Sequence, residues 1–327
     1  MQTKNTSRFT MTAASFAAVC FLAACGGSGG GDDDSPSSAG VSNEVAEGYA
    51  ADSASMPVVA ADGVDLAVET VEAGLIGAAG GGQVTAQSVD GSRACAGGGT
   101  VSWTVISANP SDEGNGQLDA GEVVDVDYAG CIAADGTTTL DGSLKLTVVA
   151  RDATSSDLTL LVSGLKLTKP AGSFTVGGGL RLQRETVAVD GGGSERHRTL
   201  SAESIAMVTM IGQRESNYRL RDVDWTIVKT YDAGGAFVSR THDGELTLEA
   251  DNPRRPDAQL AIATDGALTV GSDGYVAAGR LVATSLDNQL TATWADASVT
   301  ITLDLGRDGS IDRTWTITRE TWLGRVG

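Results

Sequence analysis

Beyond about residue 100, the chain mostly alternates apolar and polar side chains with a period of two residues. This alternation is typical of strands that bury one face and expose the other. The clearest stretches contain Leu144, Leu146 and Val148; Leu246 and Leu248; Val299, Ile301, Leu303 and Leu305; and Trp315 and Ile317. Turn-forming Asp-Gly and Gly-Gly pairs recur between the stretches, for example at 141–142, 190–191, 234–235, 243–244 and 308–309. We therefore predict an all-β fold, an antiparallel meander of about a dozen strands forming a curved sheet, a half-barrel or a barrel.

One segment before the strands has helical periodicity. Its apolar positions are Val64, Val68, Val71 and Leu75, and its acidic positions are Asp65, Glu69 and Glu72. Apolar residues at intervals of three and four lie on one face of a helix, and three consecutive glycines from Gly80 end the pattern. The sequence thus predicts one short amphipathic helix within residues 61–82, followed by a β domain at 83–327.

The β domain contains two stretches that match as T-x-D-G-x-L-x-L. They are "TLDGSLKL" at 139–146 and "THDGELTL" at 241–248, each preceded by a tryptophan motif, "WTVI" at 103–106 and "WTIV" at 225–228. The order of the matching pieces is the same in both halves. This favours an internal duplication, with one copy at about 83–190 and another at about 195–327. The alternative is that hairpins of any all-β chain look alike.

The N-terminus has the layout of a secretory signal peptide. Lys4 and Arg8 precede an apolar stretch at 11–24, and Cys25 follows. The apolar core is shorter than the roughly 20 residues that a permanent membrane span needs. "LAAC" at 22–25 resembles the lipobox of Gram-negative bacterial lipoproteins, which implies that residues 1–24 are cleaved and that Cys25 is lipidated. Ordinary secretion is the alternative.

The segment after Cys25 is rich in Gly, Ser, Ala and Asp. Such a composition buries too little apolar surface to offset its ordering entropy, so we predict a flexible tether over residues 25–60. In the lipoproteins that the chain resembles, an Asp directly after the lipidated cysteine favours the inner membrane, and this chain has Gly26 there. The resemblance therefore implies an outer-membrane protein held by its acyl chains, facing the periplasm or the cell surface.

The charge of the chain excludes some partners. The formal net charge is −19, and removing the signal peptide, whose only charged side chains are Lys4 and Arg8, makes it −21. A chain this acidic repels nucleic acid and anionic lipid surfaces, so we expect no nucleic-acid partner and membrane attachment through the acyl anchor. Its remaining ligand, a protein, a glycan or a lipid, is unknown from sequence.

Two of the four cysteines remain in the mature domain. Cys20 leaves with the signal peptide and Cys25 is the lipidation site, so Cys95 and Cys131 are left in an oxidising compartment. We predict a structural disulfide between them. Two buried free thiols are the alternative.

Two acidic loops resemble parts of a calcium-binding loop. In "SDEGNGQLDAGE" at 111–122 the oxygen ligands would be Glu113, Asn115, Asp119 and Glu122, although Ser111 replaces the usual first Asp. A weaker set is Asp304, Asp308 and Asp312. The alternative for both is an acidic, solvated hairpin loop. No cofactor is required, and calcium is the ion that these loops would take.

The sequence contains few candidates for catalysis. His197 and His242 occur in charged, turn-like contexts, which favours surface positions over metal ligation. Neither a nucleophile elbow nor a phosphate-binding loop is present in the sequence. We therefore predict a non-enzymatic, lipid-anchored envelope protein that acts as a binding or structural module. The alternatives are a carrier of apolar ligands, similar in layout to outer-membrane lipoprotein carriers with a half-barrel pocket, and, less favoured, an envelope hydrolase.

Overall fold

The fold combines a single antiparallel sheet with two helices. The computed structural model describes residues 41–78, 88–106, 118–133, 136–170, 172–252, 255–271, 274–295 and 297–326. The sheet has 15 strands, and nearly all of them pair with their neighbours in chain order. Among the described residues no ladder joins the first strand to the last, so the sheet is curved but not closed. The predicted all-β meander is confirmed.

The helices and strands follow one another along the chain with short connections. The helices are α1 (Asn43–Ala78) and α2 (Arg319–Leu323). The strands are β1 (Ser88–Ala94), β2 (Thr100–Ile106), β3 (Val123–Ile132), β4 (Thr139–Arg151), β5 (Ser155–Lys169), β6 (Gly172–Ala188), β7 (Ser194–Ile211), β8 (Arg214–Tyr231), β9 (Phe237–Asn252), β10 (Arg255–Thr264), β11 (Leu268–Val270), β12 (Val276–Thr284), β13 (Asn288–Ala295), β14 (Ser298–Leu305) and β15 (Arg313–Thr318). β11 is a short strand that pairs with β9 and β12.

Each long strand buries one face, as the alternation predicts. In β3, Val124, Val126 and Tyr128 are buried, whereas Asp127 between them is exposed. Four of the five tryptophans, Trp103, Trp225, Trp294 and Trp322, are also buried. The inner face of the sheet is therefore the apolar core, and the outer face is mainly polar.

Helix α1 begins earlier than the sequence predicts, which corrects the predicted tether. It begins at Asn43, so the tether predicted for 25–60 is helical from residue 43 onwards, and residues 25–40 lie outside the described residues. Every residue from Ala50 to Ala61 is buried, which is more than three turns of helix and includes all of its faces. This stretch of the helix is therefore buried on every side. The segment is rich in Ala and Ser, as a tether is, but small side chains also let the sheet approach a helix on every side.

The sheet curves around α1, since strands from both of its ends and from its middle contact the helix. Trp315 on β15 donates its indole N–H to Glu47 Oε1 at 3.1 Å, and Arg93 on β1 donates to the carbonyl of Ala73 at 2.7 Å. In the middle of the sheet, Tyr218 on β8 donates its hydroxyl to Asp52 Oδ2 at 3.0 Å. The helix thus occupies the concave side of the sheet.

The helix runs in the same direction as β8. Asp52, early in α1, bonds Tyr218 near the start of β8, and Asp65, later in α1, bonds Lys229 near its end. Alternate hairpins of a meander lie at the same end of a sheet. The turns β4–β5, β6–β7 and β8–β9 therefore share the end at which α1 finishes, which we call the distal rim.

Two Asp-Gly pairs predicted to be turns lie inside strands. Gly142 in β4 and Gly244 in β9 have positive φ angles of 101° and 152°, and the β4–β5 ladder changes register between Asp141 and Ser143. A register change of this kind is a β-bulge. The extra residue of this bulge is on β5, where the backbone of Gly164 approaches Gly142 closely. The pairs at 190–191, 234–235 and 308–309, in contrast, do form connections between strands.

The predicted repeat falls on two hairpins. The T-x-D-G-x-L-x-L stretches begin β4 and lie in β9, each followed by its partner strand, β5 or β10. The tryptophan motifs do not keep this relation, because Trp103 lies on β2, two strands from β4, whereas Trp225 lies on β8, next to β9. The strand with the tryptophan is thus parallel to the Asp-Gly strand in one copy and antiparallel in the other. The duplication stays a prediction for the hairpins alone.

We expect Gly142→Ala to destabilise the fold by about 1–3 kcal/mol or more. A Cβ at residue 142 would lie 2.3 Å from the carbonyl oxygen of Gly164, so the backbone must move. Gly179→Ala on β6 is the matched control, since its φ is not positive and its Cβ would meet nothing within 4 Å. Urea unfolding measures both variants. Equal losses of stability would show that the bulge does not require glycine.

Candidate functional site

A stripe of carboxylates on α1 faces a row of cations on the sheet. The acidic residues are Asp62, Asp65, Glu69 and Glu72, whose spacing of three and four residues puts them on one side of the helix. The cations are Arg151, Arg184, Arg198, Lys229 and Arg240, on β4, β6, β7, β8 and β9. We call these nine residues the charge belt.

Asp65 is the most deeply buried member of the charge belt. Its side chain is 0 % exposed, and each of its oxygens has a cationic partner. Arg198 Nε lies 3.0 Å from Asp65 Oδ1, and Lys229 Nζ lies 2.7 Å from Asp65 Oδ2. Glu69 is within 3.3 Å of the same Lys229 Nζ. The arrangement satisfies a carboxylate that would otherwise be very unfavourable inside the protein.

Burial and charge oppose one another at the cations of the belt. Burial lowers the pKa of Lys229, but the carboxylates of Asp65 and Glu69 outweigh it and raise that pKa above its usual value. Burial also lowers the pKa of Arg198, and the neighbouring Arg184 adds to this effect, which Asp65 and Glu69 only partly reverse. The cations of the belt therefore depend on the acids of α1 for their charge balance.

His242 belongs to the interior, which corrects the predicted surface position. It is fully buried on β9, and its Nδ1 accepts a hydrogen bond of 3.0 Å from the indole N–H of Trp225. Its Nε2 lies 3.3 Å from Asp62 Oδ1, and Arg240 Nη1 lies 2.7 Å from Asp62 Oδ2. Because Nδ1 is an acceptor, a neutral ring carries its hydrogen on Nε2, towards Asp62. His197, in contrast, is partly exposed beside Glu195.

The Asp62 carboxylate is held in its charged form. Burial alone would raise the pKa of Asp62, but His242 and Arg240 outweigh burial and lower that pKa below its usual value. Every acidic member of the belt thus lies against a cation of the sheet. The charges of the helix and of the sheet are therefore complementary along this face of α1.

The outer face carries a groove across four strands. Its side chains form two rows that run across the strands, and within each row neighbouring residues are directly paired on adjacent strands. One row is Ala206, Arg219, Glu249 and Gln259, and the other is Val208, Asn217 and Asp251. The groove has a volume of about 480 Å³, within the range of small-ligand pockets. We call it the outer groove; its floor is small and apolar, and its walls carry amides and charges of both signs.

The predicted disulfide is confirmed. Cys95, directly after β1, is bonded to Cys131 on β3, with the two Cα atoms 5.4 Å apart. The bond ties the turn after β1 to the third strand, so it secures the first edge of the sheet. Cys25 lies outside the described residues, and its lipidation stays a prediction.

The first predicted calcium loop is described only in part. Glu113 and Asn115 lie outside the described residues, so calcium binding at 111–122 stays a prediction. Glu122 is 2 % exposed and its Oε2 accepts a hydrogen bond of 2.8 Å from the backbone N–H of Asp119. The carboxylate of Glu122 therefore already stabilises the turn before β3.

The second predicted calcium set is not gathered around one point. Asp304 accepts from the N–H of Gly309, Asp308 from that of Ser310, and Asp312 from that of Leu305. Among the described residues, no group of three or more His, Cys, Asp or Glu side chains is placed to hold a metal ion. The three carboxylates instead fix the backbone of the β14–β15 connection.

The protein is thus a curved antiparallel sheet that surrounds a buried helix, and the charge belt joins the helix to the sheet. Searches against protein-family models, curated proteins and solved structures found no match for this chain. Within the described residues, neither helix is both long enough and apolar enough to cross a membrane.

We expect the buried Tyr128 to make the fold sensitive to alkaline pH. Its hydroxyl donates to the carbonyl of Ala67 on α1 at 2.6 Å, and burial raises the pKa of Tyr128 well above its usual value near 10. Near pH 10 the Tyr128 hydroxyl loses its proton in the unfolded chain but keeps it in the folded protein. Stability from this group is thus fully present below about pH 10 and falls by about 1.4 kcal/mol per pH unit above it.

The measurement compares urea unfolding of wild type and Tyr128→Phe at neutral and alkaline pH. The variant should lose about 1 kcal/mol at neutral pH with its hydrogen bond, but decline less steeply above about pH 10. Parallel pH profiles for the two proteins would contradict the assignment.

Proposed function

We propose that the chain is a lipid-anchored protein of the Gram-negative cell envelope, without enzymatic activity, that acts as a binding or structural module through its outer face. The lipobox-like "LAAC" at 22–25 and the signal-like segment before it support the anchor. The filled interior supports binding through the outer face. Every residue of α1 from Ala50 to Ala61 is buried, so the concave side of the sheet is occupied by the protein itself.

The filled interior counts against the carrier of apolar ligands. A half-barrel carrier needs its concave face for the ligand, and here an acyl chain would have to displace α1. Displacement would leave buried cations such as Arg198, 4 % exposed, without their carboxylate. Since separating buried ion pairs costs about 3–5 kcal/mol each, the charge belt opposes this exchange. A partner is therefore more readily bound at the outer face.

The outer groove is the contact surface that we favour. Side chains with amides and charges of both signs, over a floor of Ala206 and Val208, suit a polar partner such as a glycan or an extended peptide segment. Glu249 accepts a hydrogen bond of 2.9 Å from Arg221, and its other oxygen lies 3.6 Å from Arg219 Nη1. The side chain of Arg219 is 58 % exposed, so Arg219 is the cation of the groove that remains accessible to a ligand.

Processing in a Gram-negative host tests the anchor. We expect the wild-type chain to incorporate labelled palmitate and to lose its first 24 residues, because the lipobox cysteine is the acceptor of the lipid. Cys25→Ser should do neither. Cys20→Ser, which changes a thiol inside the apolar core of the signal, is the matched control and should do both. Normal labelling and cleavage of Cys25→Ser would refute the lipoprotein assignment.

Photo-crosslinking in intact cells tests the outer groove. A photoreactive amino acid at Ala206, on the floor of the groove, should give discrete adducts of an envelope component. The same amino acid at Thr159, which is exposed on the outer face of β5, is the control and should not. Equal patterns at both positions would contradict a binding role for the groove. Fatty ligands released from the purified protein, beyond its covalent anchor, would instead favour the carrier.

A further inference from the structure

A small pocket opens at the distal rim, where the charge belt ends. It has a volume of about 140 Å³ and is lined by Glu72 of α1 and by residues of β4 to β7 with the β4–β5 turn. Four of its residues lie directly opposite one another across the strands. They are Arg151, Ser156, Arg184 and Arg198. We call this site the rim pocket.

The rim pocket has more donors than its own carboxylates use. The charge belt has five cations for four acids among the described residues, and the imbalance falls here. Glu72 is shared by two arginines, with its Oε1 at 2.5 Å from Arg184 Nη1 and at 3.5 Å from Arg151 Nη1. Within the described part of the chain, the buried Arg184 Nε has no hydrogen-bond partner. Arg184 and Arg198 lie directly opposite one another on adjacent strands, and such like charges need carboxylates beside them, which are Glu72 and Asp65 here.

Two acidic residues besides Glu72 line the rim pocket. Glu185 follows Arg184 on β6 and is exposed, so its side chain belongs to the outer face of the sheet, and Asp152 is bonded within the adjoining turn. Asp152 Oδ1 accepts hydrogen bonds from the backbone N–H groups of Thr154 and Ser155, and its Oδ2 accepts from the Ser155 hydroxyl. These bonds direct its carboxylate into the turn and lower the pKa of Asp152 to about 2. Asp152 therefore shapes the wall of the rim pocket.

We propose that the rim pocket binds a small oxyanion between Arg151 and Arg184. A guanidinium presents N–H donors in a planar fork that fits phosphate, sulfate and carboxylate groups, and Ser156 lies between the two arginines on β5. The volume admits a single anionic group or the anionic end of a larger ligand. The proposal rests on the described contacts and does not depend on the lipid anchor.

Thermal unfolding of the full-length protein tests the proposal with sodium phosphate, sodium sulfate and sodium acetate as separate probes. Sodium chloride at matched ionic strength is the reference. A ligand that binds the folded state raises the melting temperature, so at least one oxyanion should give a saturable rise beyond that of chloride. The anion with the lowest half-saturating concentration shows whether the rim pocket prefers a phosphate, a sulfate or a carboxylate group.

Substitutions locate the site. Arg151→Gln, at a side chain that is 30 % exposed, should raise the half-saturating concentration about tenfold or more. Arg181 lies on the outer face of the same strand as Arg184 and pairs with Asp157. Arg181→Gln is therefore the control and should leave the half-saturating concentration unchanged. Arg184→Lys keeps the charge against Glu72 but loses the fork, so it should weaken anion binding while the protein stays folded. No saturable rise in the wild type, or equal affinity in Arg151→Gln, would overturn the proposal.

Discussion

Replacing Asp65 with Asn should lower the free energy of unfolding by about 3–5 kcal/mol, the usual cost of breaking a buried ion pair. Both oxygens of Asp65 are paired, and neither partner is well exposed, since the side chains of Arg198 and Lys229 are only 4 % and 14 % accessible. An amide at residue 65 would keep the size of the side chain and remove its charge. The cations would then remain buried with Glu69 alone as a close counter-ion.

Asp125→Asn is the matched control for this prediction. Asp125 on β3 pairs with Lys145 on β4 at 3.1 Å, but both side chains are nearly half exposed. Exposed pairs contribute about 0–1 kcal/mol, so the control should change the urea midpoint little. Comparable losses in the two variants would show that the charge belt does no more for stability than a surface ion pair.

The strands were predictable because a sheet with one buried face imposes a period of two on its sequence. Leu144, Leu146 and Val148 on β4 are all buried, as are Val299, Ile301 and Leu303 on β14. Each strand carries its own signal, so no knowledge of its partners is needed. The meander followed from the short connections, which leave neighbouring strands to pair with each other.

The central helix was only half predictable. Val64, Val68 and Val71 are spaced as on a helix, but the preceding residues are mostly Ala, Ser and Val with no apolar stripe. Small side chains that suit a flexible segment also suit a helix enclosed on all sides. The choice between the two depends on whether a sheet surrounds the segment, which is a tertiary property that a local pattern does not contain.

The charge belt was not predictable because its partners are distant in sequence. Asp65 is 133 residues from Arg198 and 164 residues from Lys229. The acidic stripe itself was visible, but a solvated helix face has the same spacing. His242 precedes Asp243-Gly244, a pair typical of turns, so its local context predicts a surface position. That pair lies within β9, where Gly244 has a positive φ angle and pairs with Trp225 in register.

The disulfide could be predicted by elimination, and the structure adds which strands the bond connects. Cys95 and Cys131 close a loop, with a sequence separation of 36 residues, that includes β2 and most of β3. β1 is the first strand of the sheet and pairs with β2 alone. An edge strand with a single partner has few contacts to keep it in place. The covalent bond therefore secures an edge of the sheet whose outermost strand is hydrogen-bonded on one side only.

Removing the disulfide by the double substitution Cys95→Ala and Cys131→Ala should lower the free energy of unfolding by about 4 kcal/mol, the chain-entropy value for a loop of this length. Urea unfolding of the oxidised wild type and the double variant measures the loss, and the fold of the sheet around α1 should persist without denaturant. A reductant supplies the control, since it should destabilise the wild type to a similar degree and leave the double variant unchanged. If the wild type loses less than about 1 kcal/mol on reduction, the bond does not constrain the unfolded chain as the loop length predicts.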